Sequence, residues 1–98
     1  MNFNPGSFGK DGDKKEMNFP INYDLKVILD TEKEINIQQR NLELVLEDAN
    51  VNYDFVKSQR SSKGKFVSLT MNITLNDKNQ MGYLYHRLKL LPGIKFAV

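Results

Sequence analysis

The chain has 98 residues, enough for one domain and too few for two. Its apolar fraction of 40% can fill a single modest core, and its charged fraction of 27% is ordinary for a wet surface. The net charge of +2 is too small to imply a nucleic-acid or membrane partner by itself, and the lack of cysteine excludes disulfides, thiolate metal sites and cysteine nucleophiles. No apolar run approaches the roughly 20 residues that cross a bilayer, and no hydrophobic signal core opens the chain, so the expectation is a cytoplasmic protein with no membrane partner.

Residues 1–18 hold Gly6, Gly9, Gly12 and Pro5 with a mixed-charge run from Lys10 to Glu16, the composition of a flexible tail. Phe3 and Phe8 are its only aromatic residues, and a short partner-binding segment is the rival reading. A single domain is expected over 19–98. Tyr23, Leu25, Val27 and Leu29 alternate with Asp24, Lys26 and Ile28, which is a strand at period two. Thr31 and Glu34 have capping-box spacing, and Ile35, Leu42, Val45, Leu46 and Ala49 form the apolar stripe of a helix that Asn50 ends. A second strand sets Tyr53, Phe55 and Lys57 against Asp54, Val56 and Ser58. The third runs from about Lys65 to Leu75, with Val67, Leu69, Met71, Ile73 and Leu75 inward and Phe66, Ser68, Thr70, Asn72 and Thr74 outward. Asp77 and Gln80 repeat the capping spacing, and Met81, Leu84, Tyr85 and Leu88 give the second helix its stripe. After Pro92-Gly93, a short strand is expected to put Ile94, Phe96 and Val98 on one face.

This order buries both helical stripes in one way: an α+β, ferredoxin-like βαββαβ plait, a four-stranded antiparallel sheet with two helices on one face. The other face stays open.

Phe19-Pro20 leads into the first strand, and Ser61-Ser62-Lys63-Gly64 is followed by an aromatic residue and an alternating Ser/Thr-rich strand. With Leu84-Tyr85 on the second helix and the apolar last strand, these features resemble the YbeD-like family of small bacterial proteins over residues 19–98. The resemblance implies an ACT-like ferredoxin fold, likened on fold grounds to amino-acid-sensing regulatory domains. It supplies no catalytic residues.

Candidate chemistry is sparse. His86 is the lone histidine, off the apolar stripe and beside the cations Arg87 and Lys89, so a solvated helix-face role outweighs catalysis. Glu43 and Glu47 share a helix face with Asp48 adjacent, an arrangement better read as solvated charge than as a metal site. No metal or cofactor is expected. The densest positive charge is Lys57, Arg60, Lys63 and Lys65, with no acid among them. Ser61, Ser62 and Gly64 could offer N–H groups and hydroxyls to an anion, although strand-to-strand placement excludes a nucleotide P-loop. RNA-recognition motifs share the topology, but they need two or three aromatics on the open face, and from the third strand alternation supplies Phe66 alone. The expectation is a non-enzymatic regulatory or binding module. It takes a small anionic metabolite or a protein partner through Arg60, Ser61, Ser62, Lys63, Gly64, Lys65 and Phe66. An RNA-binding plait is the alternative, with nucleic acid otherwise not expected and a homodimer compatible with the open face.

Overall fold

The structure, a computed structural model, describes residues 18–98. The tail expected over residues 1–18, with Phe3 and Phe8, lies outside the described residues except for Asn18. Strand β1 (Ile21–Asp30) is followed by helix α1 (Ile35–Asp48), strands β2 (Asn52–Arg60) and β3 (Phe66–Leu75), helix α2 (Lys78–Leu88) and strand β4 (Ile94–Ala97). The strands lie in the order β2-β3-β1-β4, every neighbour antiparallel, which is the expected plait. Leu25, Val27 and Leu29 of β1 and all five inward residues of β3 are buried. They join Leu42, Val45, Leu46, Met81, Leu84, Tyr85 and Leu88 of the helices in one core. Period-two and period-3.6 patterns thus meet across a single apolar layer.

Four details depart from the sequence reading. Thr31 does not cap α1: Glu34 occupies the N-cap without a side-chain hydrogen bond. The Thr31 hydroxyl donates instead to the Gly64 carbonyl at 2.9 Å, a long-range contact that outcompetes the local one. At the start of α2, the Gln80 N–H does donate to Asp77 Oδ1 at 2.8 Å, but the Gln80 side chain accepts from the Asn76 N–H rather than from that of Asp77.

The other two departures are β-bulges. Register shifts between Phe55 and Lys57, so Tyr53 and Phe55 oppose the inward Ile73 and Met71 while Lys57 opposes the outward Thr70. Lys57 therefore leaves the face of Tyr53 and Phe55. A second shift, between Ile28 and Leu29, pairs β4 so that Ala97 opposes Val27 and Phe96 opposes Ile28. Ala97 enters the core at 2% exposure, whereas Phe96 and Val98 are 42% and 57% exposed. One extra residue reverses the parity of everything beyond it.

Candidate functional site

Register assigns the open face row by row. Asp24 and Asp54 flank Asn72, Lys26 and Lys57 flank Thr70, and Ile28 lies between Ser68 and Phe96. Phe66, opposite Asp30, is the diagonal neighbour of Ile28. Asn22, Asp24, Asn72 and Thr74 tie one end of the face into a hydrogen-bond network of 2.9–3.2 Å. That end is polar and internally satisfied. The other end carries Ile28, Phe66 and Phe96, the last two 40% and 42% exposed, with no helix over them among the described residues. Thr70 is buried despite its place on this face, since the aliphatic stems of Lys26 and Lys57 can shield it from either side.

The β2–β3 turn borders the apolar end. Gly64 adopts φ +73° and donates its N–H to the Ser61 carbonyl at 2.9 Å. The Ser61 N–H donates to the Phe66 carbonyl at 2.8 Å, and the Phe66 N–H donates to Ser61 Oγ at 3.1 Å. Two of the three N–H groups imagined for an anion nest are thus spent inside the turn. Of those three, Ser62 alone has an N–H with no partner among the described residues. Lys63 and Lys65 are exposed at the tip, while Arg60 opposes the inward Val67 and so sits on the helix side of the sheet. Among the described residues none of Lys57, Arg60, Lys63 and Lys65 forms an ion pair. The structure brings Ser61, Gly64 and Phe66 together, keeps Lys63 and Lys65 beside them, turns Arg60 away and adds Lys57, Ile28 and Phe96. Phe96 escaped the sequence reading because strict alternation with Lys95 hides a bulge.

The remaining candidates have structural explanations. His86 is exposed on α2. Glu43 and Glu47 are bridged by Arg40 at 3.1 and 3.3 Å, and Asp48 accepts from Arg87 and the Tyr83 hydroxyl, each at 2.6 Å. Among the described residues no group of three or more histidine, cysteine or carboxylate side chains converges. The hydroxyls of Tyr23 and Tyr85 hydrogen-bond at 2.5 Å across the core edge. Burial pushes both phenols upward, so this pair stays neutral and fastens α2 to β1.

A plait with one sheet face buried under two helices and the other left open by the described residues defines a small ferredoxin-like α+β module. The chain belongs to the family described as protein of unknown function (DUF493), whose model matches residues 14–98. No curated protein matches the sequence. Among solved structures it is similar to protein HP0495 from H. pylori, with 18% identity and a TM-score of 0.63 over 91% of this chain and 92% of that one. It is also similar to the C-terminal domain of the MgtC protein from Mycobacterium tuberculosis, with 14% identity and a TM-score of 0.62 over 85% and 88%. The ACT domain from GTP pyrophosphokinase of Chlorobium tepidum gives 9% identity and a TM-score of 0.59 over 81% and 96%. At these identities the likeness establishes the fold. Among the described residues no helix is long and apolar enough to cross a membrane.

Proposed function

We propose that the chain is a non-enzymatic regulatory or binding module, working in the cytoplasm, that docks a protein partner on the apolar end of its open sheet face. One observation carries this reading: Ile28, Phe66 and Phe96 are neighbours on a face no helix covers, beside lysines that have no ion-pair partner among the described residues. Exposed rings with a basic rim suit an apolar protein segment bordered by carboxylates. A small anionic metabolite is the weaker occupant here, because the surface is a sheet rather than a cleft and Ser61 and Gly64 direct their N–H groups into the turn itself. The partner is best sought by cross-linking with the wild-type chain and with Phe66→Ala/Phe96→Ala. A partner of this surface binds the double variant at least about thirtyfold more weakly, as expected for loss of a buried aromatic anchor. Lys63→Glu should lower its association rate most at low salt. Equal capture by both chains would sink the assignment, and a second copy of the chain as occupant would appear as a dimer in sedimentation.

A second reading, single-stranded RNA, has one observation in its favour. Phe96 adds a second ring to the face, and base stacking needs at least two. Asp24, Asp54 and Asp30 on the same face oppose a phosphate backbone. Titration with single-stranded RNA at low salt decides between them: phosphate-dominated binding weakens steeply as salt rises, and no binding at low salt removes RNA.

A further inference from the structure

On the far side of the sheet from the docking face, α1 and the end of α2 leave a groove of about 420 Å³. Leu44, Val45, Leu90 and Leu91 make it apolar, and Asn41 and Arg87 supply its polar groups. The chain turns sharply after α2, which buries Leu91 while leaving Leu90 66% exposed. The volume lies within the range of roughly 300–1,000 Å³ typical of small-molecule sites, which combine apolar walls with a few polar groups.

Arg87 is only partly engaged. Its Nη1 donates to Asp48 Oδ2 at 2.6 Å and to the Tyr83 hydroxyl at 3.3 Å. Nε and Nη2 have no partner among the described residues, so one edge of the planar fork is free. That edge matches a carboxylate, which takes two parallel N–H bonds. Asp48, already paired with the guanidinium, offsets part of its charge and so disfavours a dianion more than a monoanion. The Asn41 side chain likewise makes no hydrogen bond among the described residues and lines the same groove.

We propose that this groove binds an amphiphilic monocarboxylate, its apolar tail against Leu44, Val45, Leu90 and Leu91 and its carboxylate on the free edge of Arg87. The site is separate from the open face, and neither proposal depends on the other.

The test is amide chemical-shift titration of the full chain with decanoate, acetate and decylamine, each below its aggregation threshold. Decanoate should give saturable shifts in residues 41–45 and 87–91. Acetate lacks the tail and decylamine carries the wrong charge, so neither should reproduce them. Arg87→Gln should weaken decanoate at least about tenfold, the scale of a charge-assisted hydrogen bond. Leu90→Asp should weaken it similarly, and because Leu90 is exposed this variant keeps its fold. Equal response to decylamine, shifts centred outside the groove, failure to saturate, or unchanged affinity in Arg87→Gln would each overturn the proposal.

Discussion

Gly93 carries a constraint that Gly64 only half shares. Both have positive φ, +80° and +73°, where a Cβ is strained by about 1–2 kcal/mol. At Gly64 an added Cβ meets nothing within 4 Å, whereas at Gly93 it would lie 2.9 Å from Asp30 Oδ1. The Gly93 carbonyl also accepts the Asp30 N–H at 2.9 Å, and Asp30 Oδ1 accepts the Glu32 N–H at 3.1 Å, so relieving the contact means swinging the carboxylate off that bond. Gly82 is different again: it sits inside α2 with ordinary φ and open space around it. Alanine there removes backbone freedom from the unfolded chain and should stabilise by about 0.5–1 kcal/mol. Urea unfolding of the three alanine variants should therefore rank Gly82→Ala above wild type, Gly64→Ala about 1–2 kcal/mol below it, and Gly93→Ala lowest. If Gly93→Ala matches Gly64→Ala, the contact with Asp30 contributes nothing.

Between elements, the Tyr53 hydroxyl of β2 donates to Glu47 Oε2 of α1 at 2.6 Å, and the bond requires a protonated phenol and an ionised carboxylate. It pushes the Tyr53 phenol up to about 12 and holds Glu47 below its ordinary value, Arg40 adding to the latter. A raised folded pKa gives stability that is complete below the ordinary phenol value of 10.0 and lost as pH rises toward about 12. A lowered one gives stability that is complete above the ordinary carboxylate value of 4.5 and lost as pH falls through the folded pKa. Subtracting the stability of Tyr53→Phe from that of wild type should thus give a plateau between about pH 5 and 10, declining on both sides, and small because the pair is exposed. A difference that is flat across the whole range would mean the bond is absent in solution. The same edge strand explains what alternation could and could not convey. In the central strands β1 and β3 every inward residue but Ile21 was legible, because pairing on both sides disfavours a change of parity. The edges β2 and β4 pair on one side only and tolerate bulges, and no residue at Val56 or Lys95 announces them. Two members of the candidate surface were therefore misplaced, Phe96 on one face with Ile94 and Lys57 on one face with Phe55. Thr31 failed for a related reason: its local spacing fitted a cap, but a carbonyl 33 residues away claimed the hydroxyl.

Across the whole molecule, the plait separates the packed face from the face proposed for docking. β3 contributes to both faces from one alternating run, since Leu69 is fully buried on the helix side while Phe66, three residues earlier, is 40% exposed on the other. Removing Leu69 leaves a cavity in the layer that joins both helices to the sheet, and Leu69→Ala should cost about 2–5 kcal/mol. That is a large share of the roughly 5–15 kcal/mol holding a domain of this kind together. Phe96→Ala opens no cavity, because the ring already faces solvent, and should cost about 1 kcal/mol or less. For the partner of the open face the order should reverse. Leu69→Ala, assayed where it remains folded, should bind as wild type does, while Phe96→Ala should lose most of its affinity at nearly full stability. Paired denaturation and binding curves for the two variants measure both orders at once. A loss of binding that tracked the loss of stability would mean the face has no role apart from the fold beneath it.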